Sequence, residues 1–449
     1  MTRATGASRD VTPPGPQPPD AYDLREDIAR CVHCGFCLQA CPTYLQLGKE
    51  TDSPRGRIAL IEAMSSGRAA PSGPLLGHLD LCLQCRACET ACPSGVPFGR
   101  IMETARGDVM ASGAGPLAWR LRAAALRHVL PHRQRIAGAM ALLRGYQRSP
   151  LPALLRRTGA LGLLPRPLRA AEASLPVLPR ASFVPPEQPP GLTRTVALLR
   201  GCLMPHLYPR THAATVRVLN RLGYRVVFPG QEVCCGALSL HAGDRRQARA
   251  LARQNIDAFL DAKVEAIVVN SAGCGSTMHE YGGLLRDDPV YRERAARFAA
   301  MTRDVLEFVA AHALPALGEV PVAVTYQDSC HLAHAQRVTQ GPRALLRAIP
   351  GIDLRELTAP DRCCGSAGLY SLVQPAMSAR LLAEKVDDVR ATGASVVATA
   401  NPGCMMQLEA GLRQRGIDAR VVHVIELLDE AMRAAGRPQT ADDPCGAAW

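Results

Sequence analysis

Aromatic side chains make up only 4% of this 449-residue chain, and no uninterrupted apolar run approaches the ~20 residues a membrane-spanning helix needs. The first twenty residues lack the hydrophobic stretch of a signal peptide. Pro13, Pro14, Pro16, Pro18 and Pro19 instead read as a disordered lead-in. Between Asp108 and Glu172 there is no acidic residue. No G-x-S-x-G elbow, P-loop or H-E-x-x-H occurs, which argues against a hydrolase of the elbow type, a P-loop nucleotidase and a zinc protease. The nearest approach to a dinucleotide fingerprint, Gly273-Cys274-Gly275 after an apolar run, fails at Met278, where the third glycine belongs. An integral membrane protein is not expected, and neither is a flavin or nicotinamide site on this chain.

What the chain has is cysteine, seventeen in all. In a short secreted chain that would suggest a disulfide scaffold. Here the chain is long and the count is odd, which points to a reducing, cytoplasmic compartment. Eight of them fall in two runs of one grammar, C-x2-C-x2-C-x3-C-P: Cys31, Cys34, Cys37, Cys41 with Pro42, and Cys82, Cys85, Cys88, Cys92 with Pro93. Three thiolates within seven residues can wrap three corners of an iron–sulfur cubane, and the fourth cysteine of such a run ligates the cube held by the other. The expected sets are Cys31, Cys34, Cys37 and Cys92 on one [4Fe–4S] cluster, and Cys82, Cys85, Cys88 and Cys41 on the second. Zinc fits less well, because its sites favour two separated cysteine pairs over a third cysteine at the next step.

Residues 21–108 therefore read as a ferredoxin-type module. Forty residues separate Cys41 from Cys82, with Ser53-Pro54 as a helix start, Ile58, Ile61 and Met64 at helical spacing and Gly67 as a stop. The module is expected to be α-helical, with further helices over 22–30 and 98–108. Residues 109–190 are a connector of short Leu- and Ala-rich helices broken by prolines. Eleven arginines sit among the leucines: Arg120, Arg122, Arg127, Arg133, Arg135, Arg144, Arg148, Arg156, Arg157, Arg166 and Arg169. Two readings stand side by side. Either the helices pack the first module onto the next domain, or residues 111–180 touch an anionic membrane surface or acidic partner peripherally. Nucleic acid is not expected, since aromatic residues are few and no binding motif is present.

The remainder is a duplication, 191–318 and 319–432, followed by a tail. Cys202, Cys234, Cys235 and Cys274 recur as Cys330, Cys363, Cys364 and Cys404, at offsets of 128, 129, 129 and 130. Buried strands are expected at Val196, Ala266, Val322 and Val396, with a helix after each Cys-Cys-Gly turn. The alternation predicts two α/β units with parallel sheets related by an approximate two-fold. Each cysteine set gathers at the carboxyl ends of its strands, where such sheets form sites. The overall fold class is thus multidomain α and α/β. His331 and His334, beside Cys330, are candidates for a ligand or proton relay. His33 and Arg86 are expected to tune cluster potential, and Arg55 and Arg57 to pair with cluster or backbone acceptors. Cys445 reads as a free thiol in the tail.

Three stretches carry a family resemblance: the first run through Cys37, then Asp52-Ser-Pro-Arg-Gly-Arg57-Ile58, then Cys88-Glu-Thr-Ala-Cys92-Pro-Ser-Gly95. With them the chain resembles the iron–sulfur subunits of bacterial glycolate oxidase. The Cys-Cys-Gly half resembles the cysteine-rich pair shared with heterodisulfide reductase and lactate-utilisation proteins. The resemblance implies an electron-transfer subunit, not catalytic alone, of a multi-subunit 2-hydroxy acid dehydrogenase. A partner flavoprotein would carry FAD, and the acceptor would be quinone-like. Lactate and anaerobic glycerol-3-phosphate dehydrogenases share this architecture, and a non-enzymatic metal-binding sensor or scaffold is the alternative of another class. One departure stands out. The heterodisulfide-reductase copies end in C-x-x-C, whereas Thr277 and Gln407 hold the last position here, leaving four cysteines per unit. A further cluster, a zinc ion, a redox dithiol or plain buried thiols remain open for those quartets.

Overall fold

The computed structural model describes residues 24–163, 172 and 175–436. The lead-in, Arg166, Arg169 and Cys445 lie outside the described residues. From Leu24 to Ala111 every described regular element is a helix, the longer ones being Pro54–Ser65, Gly73–Asp80 and Phe98–Ala111. Ser53 caps the first of these, its side chain accepting from Gly56 N at 3.0 Å, with Pro54 in the first turn where its missing N–H costs nothing. Ile58, Ile61, Leu79, Ile101 and Met102 form the core of this module, and Trp119 of the connector closes it.

The connector forms helices Leu117–Val129, Arg133–Arg148 and Leu151–Arg157. Its arginines divide by partner. Arg122 reaches Asp80 of the first module at 3.0 Å, while Arg127 reaches Asp244 and Arg133 reaches Glu232, each at 2.7 Å. Three of the eleven arginines thus tie the connector to its neighbours. An exposed ion pair is worth only about 0–1 kcal/mol, but Asp244 and Glu232 are buried, where a paired charge counts for more; Glu232 is held by Arg200 as well as by Arg133.

Each Cys-Cys-Gly unit is a four-stranded, all-parallel sheet. The first contains β1 (Arg194–Leu198), β2 (Tyr224–Val227), β3 (Ile267–Val269) and β4 (Thr302–Asp304) in the order β2-β1-β3-β4. The second contains β5 (Val322–Tyr326), β6 (Ile352–Arg355), β7 (Val396–Thr399) and β8 (Arg420–His423) in the order β6-β5-β7-β8. The strand order reverses between β1 and β3, and between β5 and β7; ligands bind at that switch in open parallel sheets. One apolar core runs through both units, taking Val196, Leu198, Val218 and Val305 from the first and Val324, Tyr326, Val396 and Leu428 from the second. Helix Pro209–Arg221 packs on helix Val424–Ala434, and helix Val305–Ala310 on helix Gln340–Ala348, as a two-fold requires. At about 1.5–3 kcal/mol for each buried large aliphatic side chain, this shared core makes the two units one body.

Candidate redox centres

Both N-terminal cysteine runs build the same loop. His33 and Gly35 in the first have φ of +55° and +86°, and Gln84 and Arg86 in the second +55° and +63°. Non-glycine residues rarely adopt this region. Its use at matching positions turns successive amides toward one side, making the concave backbone nest that holds anionic iron–sulfur groups. Cys31, Cys34, Cys37 and Cys92 line one cavity. Cys41, Cys82, Cys85 and Cys88 line another. Cys88 and Phe98 belong to both linings, so the two cavities share a wall.

The chemistry of these thiols fits an iron occupant. Burial pushes Cys37 up, and pushes Cys85 and Cys88 well up, so each resists ionising without a positive partner. A metal supplies that charge and deprotonates the thiol outright. Among the described residues no three His, Cys, Asp or Glu side chains gather closely enough to hold a single metal ion. A cubane does not ask for that, because each of its irons takes one thiolate.

The arginines of the sequence motif lie at these cavities. Arg57 is buried, donating to His78 O at 2.8 Å and Thr43 Oγ1 at 3.1 Å, with Nη1 3.9 Å from Cys41 Sγ. Arg55 donates to His33 O at 3.0 Å and is ion-paired to Glu50 at 2.6 Å, pinning the first loop. Arg86 turns away from its own loop to pair with Glu280 of the first Cys-Cys-Gly unit.

In each α/β unit the structure gathers four cysteines at the sheet switch. Cys234 is hydrogen-bonded to Cys202 and Cys235, and Cys235 to Cys274; those contacts, with Cys202 foremost, draw Cys234 well down. In the second unit the thiol of Cys363 is hydrogen-bonded to those of Cys330 and Cys364, and the thiol of Cys364 to that of Cys404, all four cysteines being free. The contact with Cys363, reinforced by burial, pushes Cys364 up to about 12. Glycine is obligatory after each pair. Gly236 and Gly365 have φ of +86° and +84°, and a Cβ on Gly365 would stand 2.8 Å from Ser378 O. Thr277 and Gln407 face inward to the scaffold, donating to Gly273 O at 3.3 Å and Ser378 Oγ at 2.9 Å.

The second unit also meets the ferredoxin-type module. Cys85 shares an apolar cluster with Cys363, with Cys330 packed against it. His331 Nε2 is 3.0 Å from Gln84 O, His334 Nδ1 is 3.0 Å from Thr90 Oγ1, and Tyr370 donates to Leu81 O at 2.9 Å. Gln84, Tyr370 and Glu280 carry no local sequence signal, since each acts across a long sequence separation.

Comparison with known proteins agrees with this layout. Residues 27–96 match the 4Fe-4S dicluster domain, 196–279 and 324–409 the cysteine-rich domain, and 120–175 the linker region of the glycolate oxidase iron-sulfur subunit. A probable glycolate oxidase iron-sulfur subunit of Bacillus subtilis is 41% identical over 90% of this chain and 94% of its own. The glycolate oxidase iron-sulfur subunit of Escherichia coli is 34% identical over 92% and 96%. Lactate utilization protein A of an Exiguobacterium species is 33% identical over 54% of this chain and 99% of its own. A hypothetical protein of Helicobacter pylori, solved by crystallography, shares the fold at a TM-score of 0.55 and 8% identity, covering 93% of this chain and 73% of its own. Together the matched segments span both cysteine runs, the basic connector and both Cys-Cys-Gly units, and they support iron–sulfur clusters as the cofactors. The chain belongs to the family of glycolate oxidase iron–sulfur subunits.

Proposed function

We propose that this chain is the electron-transfer subunit of a 2-hydroxy acid dehydrogenase complex, with glycolate as the substrate of the whole. Oxidation of glycolate to glyoxylate releases two electrons and two protons. A flavin on a partner subunit takes them as a pair, and this chain accepts the electrons singly and delivers them to a quinone-type acceptor. When bound, two [4Fe–4S] clusters supply the one-electron couples, held by Cys31, Cys34, Cys37 and Cys92 and by Cys82, Cys85, Cys88 and Cys41. The observation that carries this reading is the common wall at Cys88, which sets the two thiol-lined cavities in series. Cys34 is exposed, with Val32 and Phe36 beside it at 68% and 65% exposure, so the first cavity is where the flavin subunit approaches. The two Cys-Cys-Gly quartets hold further metal, an iron–sulfur centre in preference to zinc.

The test is anaerobic addition of substrate to the purified complex. Glycolate should bleach the iron–sulfur absorbance of the native complex, and Cys37→Ser should abolish acceptor reduction while flavin is retained. Similarity to lactate utilization protein A makes lactate the competing substrate, and glycerol 3-phosphate is the third to assay. A native rate of acceptor reduction in Cys37→Ser would overturn the relay. Iron that turns over with none of the three substrates would favour the sensor or scaffold.

The outward face of the connector supports a peripheral location on an anionic membrane. Arg120, Arg135 and Arg148 are exposed, interleaved with exposed Leu117, Leu121, Leu142 and Leu154. Leu117, Arg120 and Leu121, at i, i+3 and i+4 of helix Leu117–Val129, share one face and so combine the apolar and cationic side chains that an interfacial helix offers to lipid headgroups. No helix among the described residues is long and apolar enough to cross a membrane.

A further inference from the structure

A third cavity shares a wall with the second thiol-lined one, as the second does with the first. Cys82, Leu83 and Gln84 line both. The cavity lies where all parts of the chain meet. Arg106 comes from the ferredoxin-type module and Arg122 from the connector, while Leu238 and Leu369 follow the two Cys-Cys-Gly turns.

Its polar lining is left over after the fold has made its own bonds. Gln84 is 3% exposed, and neither its amide nitrogen nor its amide oxygen has a hydrogen-bond partner among the described residues. Arg106 and Arg122 each bury an Nε in the same state. Arg106 donates its other nitrogens to the carbonyls of Leu79, Cys82 and His241, so it is a buried cation bonded to uncharged groups. An unmade hydrogen bond in a protein interior costs about 1–3 kcal/mol, and more for a charged group. Three residues around one space carry that cost, and a ligand with oxygen acceptors removes it.

The rest of the wall is apolar, with Leu83, Leu238, Leu369 and Val373, which suits a mostly hydrocarbon ring. The rim is apolar too. Val373 and its neighbour Leu372 are 37% and 57% exposed, and Leu121, beside Arg122, belongs to the connector face that is offered to lipid. A ligand carried in the bilayer therefore has an apolar way in.

We infer that this cavity takes the ring of a lipid-soluble quinone, whose carbonyl oxygens accept from the Gln84 amide and the Arg106 and Arg122 guanidinium groups, next to Cys82. The inference rests on the electron-transfer reading above and gives the acceptor its place. Two electrons arrive singly, each oxidising the Cys82-type centre by one. The first makes a radical anion, whose charge the two guanidinium groups hold. The second, with two protons from solvent, completes the quinol: both C=O groups become C–O–H, and no other group leaves or joins. The Gln84 amide serves both forms, donating to the carbonyl and accepting from the hydroxyl.

The test uses the full chain with its iron, purified without oxygen. Azido derivatives of short-chain ubiquinone and menaquinone are photolysed on it, and the labelled peptides are mapped. Label should fall within residues 80–84, 238–242 or 367–373 and be displaced by excess unmodified quinone. Label elsewhere only, or label that excess quinone does not displace, would overturn the inference and leave the cavity to water. In a second measurement, photoreduced chain is mixed with decylubiquinone or with ferricyanide, a small ion that needs no built site. Gln84→Leu, which removes both amide atoms at similar volume, and Val373→Trp, which crowds the rim, should each slow reoxidation by quinone about tenfold or more. Iron content and the ferricyanide rate should stay native. Removing an unpartnered amide for structural reasons alone would leave the quinone rate unchanged, and native quinone rates in both iron-replete variants would overturn the inference. A chain that is labelled and reoxidised as expected, but takes no electrons from a glycolate-treated flavin subunit, keeps the quinone cavity and loses the glycolate assignment.

Discussion

The guanidinium of Arg57 stands with Nη1 3.9 Å from the Sγ of Cys41, and its side chain is only 1% exposed. A buried cation beside a cluster thiolate favours the reduced, more negative state and so raises the potential. Replacing it with Gln keeps part of the polar contact and removes the charge. Arg57→Gln should lower the potential of the Cys82-type centre by roughly 60–120 mV, the equivalent of one charged hydrogen bond. An EPR-monitored redox titration checks this, and the Cys31-type centre should move much less.

Gly365 tests the Cys-Cys-Gly turn. Ala there must hold a φ of +84° and press its Cβ against Ser378 O at 2.8 Å. Gly365→Ala should cost about 1–3 kcal/mol or more of stability and release metal from the Cys330 quartet before the N-terminal module is affected. Thermal unfolding with metal analysis of the two regions reads the outcome.

Asp304 gives the fold a pH dependence. It caps helix Val305–Ala310, its Oδ1 accepting from Leu306 N at 2.8 Å, while its Oδ2 is buried without a partner. Burial raises its carboxyl to about 7. A raised folded value means that its contribution is full below the ordinary carboxylate range and is lost as pH climbs through about 7. Asn keeps the cap acceptor without the ionisation. Between pH 5 and 8, native protein should therefore lose roughly 2–3 kcal/mol more stability than Asp304→Asn. Denaturant titrations at the two pH values measure the difference. His212 and His423 act in the opposite sense: burial draws them down to about 4 and about 3, so their contribution is lost as pH falls below 6.

The connector separates two roles by residue. Replacing Arg120, Arg135 and Arg148 with Gln should weaken sedimentation with anionic vesicles at low salt while leaving the melting temperature within a degree or two, since surface changes cost about 0.5 kcal/mol or less. Arg133→Gln should instead leave vesicle binding unchanged and lower the melting temperature slightly, because it strips one of two arginine partners from buried Glu232, which keeps Arg200.

These contacts show where sequence reading succeeds and where it stops. The N-terminal thiol sets were legible because three cysteines of each lie within seven residues, and the duplication because its offsets barely drift. The central strands β1, β3, β5 and β7 announced themselves as apolar runs. The edge strands did not, and Thr302-Arg303-Asp304 of β4 has no apolar period at all. The docking of one module on another was illegible, since it rests on single contacts between residues far apart: 194 positions for Arg86 and Glu280, 247 for His331 and Gln84, 289 for Tyr370 and Leu81. The connector arginines allowed both a packing role and an outward-facing one in the sequence; which of them pair across modules, Arg122, Arg127 and Arg133, was not legible because their partners lie 42, 117 and 99 positions away.

The most direct test of the two-cubane centre of this account is iron, sulfide and zinc analysis with EPR on the intact, anaerobically purified chain. The account predicts a brown protein with about eight or more irons and as many sulfides per chain, showing two interacting four-iron signals on reduction. A colourless protein with zinc in the eight N-terminal cysteines and no acid-labile sulfide would contradict it.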